Sequence, residues 1–116
     1  MPHRVPPAYW TARDVERWLV IAYAADSRSP GLAGAIAWPA SYILDGDERL
    51  AVHTWAWARA RGERISEVLS ARRSLGSRAT FERRRERGIG RIVEGLNREE
   101  ALCQDDDEPD ENSACA

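Results

Sequence analysis

Between Arg72 and Gly88 the chain gathers seven arginines, two hydroxyl side chains that could cap a helix and two glutamates. A guanidinium is a planar fork of N–H donors, always charged, which grips phosphate bidentately and matches guanine O6 and N7 edge-on. Arg78 and Arg83 are assigned to base edges on that ground. Glu82 suits either cytosine N4, as an acceptor, or the orienting of a neighbouring arginine. Ser77 and Thr80, at the start of a helix, suit a phosphate. Arg72, Arg73, Arg84 and Arg87 would add backbone contacts, which give affinity without sequence information. Neutralising about six phosphates would give a log–log salt dependence with a slope near −5. Elsewhere the chain has no glycine-rich phosphate loop, no metal-ligand spacing and no serine–histidine or cysteine–histidine arrangement, and both histidines lie far from the cysteines. Catalysis, a metal and a cofactor are therefore not expected.

These side chains need a helix to hold them. Ser77 reads as its N-cap. Ile89, Ile92, Val93 and Leu96 fall at i, i+3, i+4 and i+7, and Phe81 and Gly88 extend that stripe backwards. Such a helix buries its later half in a core and turns its basic earlier half outwards. Before it, Glu63–Arg73 reads as a helix with Ile65, Val68, Leu69 and Arg72 on one side, followed by the turn Ser74-Leu75-Gly76. Helix, glycine-containing turn and capped basic helix together predict a helix-turn-helix over about residues 64–97. In that motif the second helix enters the major groove.

The pattern Ser77-x-x-Thr80-Phe81-x-x-Arg84-x-x-Arg87-Gly88-x-x-x-Ile92 resembles the second helix of sigma-factor region 4 and related regulators. The chain over about residues 10–97 also resembles an uncharacterised family of short bacterial and bacteriophage proteins. The shared marks are Trp10-Thr11, Trp38-Pro39, Trp57-Ala58-Arg59-Ala60, Ser77-Arg78-Ala79-Thr80 and Leu96-Asn97. The resemblance implies an all-α fold and a DNA-binding role. Three positions depart from the pattern. Ser70 stands where an apolar residue is usual, so the turn is expected to be a residue or two longer. Arg85 takes a position that is often apolar, so its stem must run along the core edge. Gly88 replaces a frequent alanine, which fits close packing on a preceding helix. Gly88 and Gly90 each cost a helix interior about 1 kcal/mol relative to alanine, and Gly90 has no evident reason.

The remaining chain reads as a small helical bundle that supports this motif. Residues 1–9 form an arm, with three prolines before Tyr9. Trp10-Thr11-x-x-Asp14-Val15 opens a helix over 12–25, with Thr11 as N-cap, Asp14 closing a capping box and Trp10 stapled to Val15. Its buried stripe is Val15, Trp18, Leu19 and Ala22, continued by Ala25. Pro39 is expected to start a short helix through Leu44, with Leu32–Trp38 separate; a single kinked helix is the alternative. Asp45-Gly46-Asp47 reads as a turn and an N-cap, followed by a helix to about Arg61 that stops at Gly62. Leu50 and Trp57 share a face there with His53 or Thr54, and either Trp55 or Trp57 should be partly exposed. His53 reads as a hydrogen-bonded helix residue.

Charge is distributed unevenly along the 116 residues. There are 17 arginines, no lysine and 19 acidic residues, so the net charge is −2. Residues 1–98 carry a net +6, and Arg59–Arg91 alone +7, while Glu99–Ala116 holds eight acids and no base. A basic body with an acidic tail points to a nucleic-acid partner, here double-stranded DNA. The tail at 99–116 reads as disordered; it suits a solubilising end, a competitor for the arginine face or a site for a basic protein partner. Cys103 and Cys115, both in the tail, read as reduced thiols. The apolar run Trp18–Ala25 is too short to span a membrane, and Asp14 and Glu16 stand where a signal peptide needs positive charge, so a cytoplasmic protein is expected. Three roles fit. The first is a helix-turn-helix transcription regulator. The second is a phage DNA-packaging component similar to a small terminase subunit, working as a homo-oligomeric ring. The third is an adaptor whose arginines bind an acidic protein.

Overall fold

A computed structural model describes residues 9–25 and 30–105. Within them lie five α-helices, one 3₁₀ turn and no strand: α1 Ala12–Ala24, α2 Pro30–Tyr42, α3 Gly46–Ala60, α4 Ile65–Ala71, the 3₁₀ turn Arg73–Leu75 and α5 Arg78–Asp105. The fold is all-α. The expected arm lies outside the described residues except for Tyr9, as does the tail from residue 106 onwards. α5 continues to Asp105, seven residues past the boundary expected at 98.

α1 forms as its sequence predicts. Thr11 Oγ1 accepts from the Asp14 N–H at 3.2 Å, and Asp14 Oδ2 accepts from the Thr11 N–H at 3.1 Å. Trp10 and Val15 are both buried in one cluster with Trp18, Leu19 and Ala22. Trp10, Trp18 and Trp38 form a ring trio with centroids 5.2–6.1 Å apart. The Trp10 N–H donates to Asn97 Oδ1 at 2.8 Å, and Asn97 Nδ2 donates to the Trp10 carbonyl at 2.9 Å. The amide of one residue on α5 thus satisfies both backbone groups at the entrance to α1, tying the two ends of the domain together.

α2 corrects the preferred reading of Pro39, because the helix runs unbroken through it. Proline removes one helical hydrogen bond and crowds the preceding turn. Here it lies in the last turn, where the Ile43 N–H still reaches the Pro39 carbonyl at 3.2 Å. Continuity sets Ala35 and Trp38 three residues apart on the buried face, and the tryptophan trio offsets the defect.

α3 is the central helix, in contact with all four others. Its N-cap is Asp45, two residues earlier than expected; Asp45 Oδ1 accepts from the N–H groups of Asp47 at 2.9 Å and Glu48 at 3.0 Å. At its other end Gly62 has φ 71°. The Gly62 N–H bonds the Arg59 carbonyl and the Glu63 N–H bonds that of Ala58, the pairing of a Schellman cap. The buried face also differs from expectation. Leu50 and His53 are exposed, while Ala51, Val52, Thr54, Ala56 and Ala58 are buried. Small residues let α1 and α5 approach this helix from two sides, and the larger Leu50 is left outside. Trp55 and Trp57 are both half-buried, each beneath a guanidinium: Arg85 over Trp55 at 5.0 Å and Arg61 over Trp57 at 4.7 Å.

The last three elements build a second, smaller core. Ala51, Leu75 and Phe81 are buried together, with Trp55, Ile65, Val68 and Leu69 packed against them. α4 is shorter than the expected Glu63–Arg73, leaving Arg72 as its C-cap and Arg73 in the 3₁₀ turn. Leu75 supplies the apolar anchor missing at Ser70. Gly76, with φ 84°, then takes a left-handed conformation that favours glycine and starts the chain into α5.

Candidate nucleic-acid interface

α5 begins as the sequence predicts. Ser77 Oγ accepts from the Thr80 N–H at 3.2 Å and donates to Thr80 Oγ1 at 3.1 Å. The capping bond leaves other first-turn N–H groups directed out of the helix start. Phe81, Gly88, Ile89 and Ile92 are buried, with Val93 and Leu96 against the main cluster. That orientation decides where each arginine points.

Arg83 and Arg87, one turn apart, are exposed and make no ion pair or side-chain hydrogen bond among the described residues. Arg84 reaches loosely to Asp47 at 3.8 Å. Arg78 is 62% exposed, and its Nε lies 3.4 Å from Glu82 Oε1. Arg72 and Arg73 are exposed at the end of α4 and in the turn. Ser77 and the half-buried Thr80 complete the patch at the helix start. The structure therefore groups the exposed Arg78, Arg83 and Arg87 with the half-buried Arg84 along the first turns of α5, with Arg72 and Arg73 beside them in the chain.

Glu82 is committed within the protein. Its Oε2 accepts from Arg85 Nη2 at 2.9 Å, while Oε1 faces Arg78. Of its two expected roles, this geometry performs the orienting one. Arg85 is only 13% exposed and also donates to Glu16 Oε2 on α1 at 2.6 Å. Burial works against its charge, but the hydrogen bonds and attraction of Glu82 and Glu16 outweigh that, and the guanidinium titrates above its ordinary range. Arg85 holds α5 to α1 across the face of Trp55.

One residue of this face escaped the sequence reading. Arg91 continues Arg83 and Arg87 at i+4, a spacing legible in the chain. It is 55% exposed, with Nε 3.7 Å from the buried Glu48. The N-terminus of α3 lies within reach of these charges. The Asp45 carboxyl falls below its usual range chiefly through the bond from the Glu48 N–H; burial opposes this, and the Asp47 N–H, Arg84 and Arg91 assist.

Other sites offer less. A cleft of about 460 Å³ between α3 and α4 is lined by His53, Trp57, Glu63, Glu67 and Arg72 among others. His53 Nδ1 lies 2.9 Å from Tyr23 Oη, so it is the hydrogen-bonded residue expected. Among the described residues no group of three His, Cys, Asp or Glu side chains could hold a metal ion. No described helix is long and apolar enough to cross a membrane. The Cys103 and Cys115 side chains lie outside the described residues. Comparison with family models, curated proteins and solved structures finds no match.

Proposed function

We propose that this protein is a DNA-binding helix-turn-helix protein, a cytoplasmic transcription regulator of bacterial or phage origin, with α5 entering the major groove of double-stranded DNA. The observation that carries this reading is the outward pair Arg83 and Arg87 on a capped helix, in a segment of net charge +7. Arginines paired within a solvated helix surface would be neutralised by neighbouring glutamates; these two make no such pair among the described residues. The resemblance of the Ser77–Ile92 pattern to sigma-factor region 4 supports the same role. Base edges then fall to Arg83 and Arg87, with Arg78 held back by Glu82. Arg72, Arg73, Arg84 and Arg91 serve the phosphates with Ser77 and Thr80.

A salt series of duplex-DNA anisotropy on the full chain tests this, with Arg83→Ala/Arg87→Ala as the control. Salt-dependent binding is expected, weakened roughly hundredfold in the double variant through loss of about 1–3 kcal/mol per contact, while thermal stability stays within about 0.5 kcal/mol. Absence of binding at low salt rejects the reading and leaves an acidic protein as the partner of the arginines. The packaging role needs self-association, and one feature favours that. Ile36 and Leu50 are 38% and 41% exposed and line a cleft of about 430 Å³ with Tyr23 and Pro39. A ring-sized mass in light scattering would select that role over a monomeric or dimeric regulator.

A further inference from the structure

Gly88, Gly90 and Gly95 all lie inside α5, and two of them have a reason within the protein. A Cβ at Gly88 would collide with Val52, and one at Gly95 with the ring of Tyr42. Around Gly90 nothing among the described residues lies within 4 Å of where a Cβ would stand. A helix-interior glycine weakens the helix because it restricts the unfolded chain least and buries no side chain. At Gly90 no packing offsets that loss.

At about 100° per residue, Gly90 shares the outward face with Arg83 and Arg87, flanked by Glu86 on one side and Arg87 on the other. It lies roughly 10 Å along the axis from Arg83 and 4.5 Å from Arg87. A helix that enters by its first turns a groove about 8.5 Å deep comes level with the phosphate rim at roughly that distance along its axis from its base contacts. We propose that Gly90 is where a phosphodiester strand of duplex DNA crosses α5 at contact distance, and that the missing side chain is what admits it. The inference rests on the DNA reading above. Arg91, the next residue in the chain, then reaches its phosphate oxygens, while Arg87, nearer the helix start, stays on the base edges. Glu86 and Glu94, one turn before and one turn beyond Gly90 on the same face, bound the attractive segment at both ends, which confines the crossing to 87–91.

The test compares the full chain with Gly90→Ala and Gly90→Leu, reading thermal unfolding and duplex-DNA affinity at one low salt concentration. With no neighbour to meet, the Ala methyl should raise Tm by about 5 °C. The same methyl should weaken DNA binding roughly tenfold, the loss of about one good contact. Leu should weaken it further. Wild-type binding that depends on salt and on Arg83 and Arg87, with both Gly90 variants equally tight, would overturn this inference and leave the DNA reading intact. A lower Tm for Gly90→Ala would reveal an internal reason for the glycine and overturn it as well. Failure of the wild-type chain to bind any duplex removes both together.

Discussion

Arg83 and Arg85 are two residues apart on one helix, as are Gly88 and Gly90, and in each pair the two residues face opposite ways. On the inner face, Arg85 is clamped by Glu16 and Glu82 over Trp55, and Gly88 makes room for Val52, Ile43 and the Glu48 carbonyl. On the outer face, among the described residues, Arg83 has no partner and Gly90 makes room for nothing. Composition cannot distinguish the members of either pair. Only the orientation of the helix does, and it separates residues explained by their contacts in this chain from residues that no described contact explains.

Making the same substitution on both faces gives the sharpest contrast. Alanine at Gly88 gains about 1 kcal/mol of helix propensity. Its methyl, however, meets Val52 Cγ2 head-on, with Ile43 Cδ1 3.1 Å and the Glu48 carbonyl oxygen 3.2 Å away. Overpacking a well-filled site costs about 1–3 kcal/mol or more, and a stiff buried valine has little room to yield. Gly88→Ala should therefore lose about 2 kcal/mol net and lower Tm by about 10 °C, the opposite sign to Gly90→Ala. Thermal denaturation of the two variants side by side checks it; equal shifts would mean that α5 does not sit on α3 as described.

Arginine replacement gives a smaller contrast on the same axis. Arg85→Ala leaves Glu16 and Glu82 without their shared partner and exposes Trp55. Both carboxylates are about a third exposed, so water screens the loss, which should amount to about 1 kcal/mol with lost stem packing included. Duplex affinity should drop far less than for Arg83→Ala, because Arg85 faces inwards. Urea denaturation and anisotropy on both single variants separate the two faces; equal affinity losses would show that facing inwards does not spare Arg85.

How much of this was legible in the chain depends on the kind of signal. Capped helices with large apolar stripes were: Thr11 with Asp14, Ser77 with Thr80, and the Phe81–Ile92 face stand where their spacing puts them. The span of α3 and its stop at Gly62 were legible too, but its buried face was not, because that face is built from Ala51, Ala56 and Ala58, whose small size matters only once α1 and α5 lie on either side. Leu75 was passed over because a single apolar residue in a turn has no period, although it anchors the second core. The arginine patch was found as a set. The division within it was hidden, since the commitment of Arg85 depends on Glu16, 69 residues away.

Glu82 stands between the two faces and discriminates most finely. Its Oε2 serves the inner face through Arg85 and its Oε1 the outer through Arg78. Gln keeps the shape and one acceptor but removes a negative charge from the rim of the basic patch. If Glu82 only orients arginines, Glu82→Gln loosens Arg78, weakens the clamp on Arg85 by a few tenths of a kcal/mol, and raises duplex affinity about two- to threefold at low salt. That gain should fade as salt screens it. If Glu82 instead accepted from cytosine N4, the same change would weaken binding to a duplex selected from a random pool by about 1–3 kcal/mol and leave binding to unrelated duplexes almost unaltered. The sign of the affinity change on the selected duplex decides between them, and the ion pairs to Arg78 and Arg85 place the expectation on the gain.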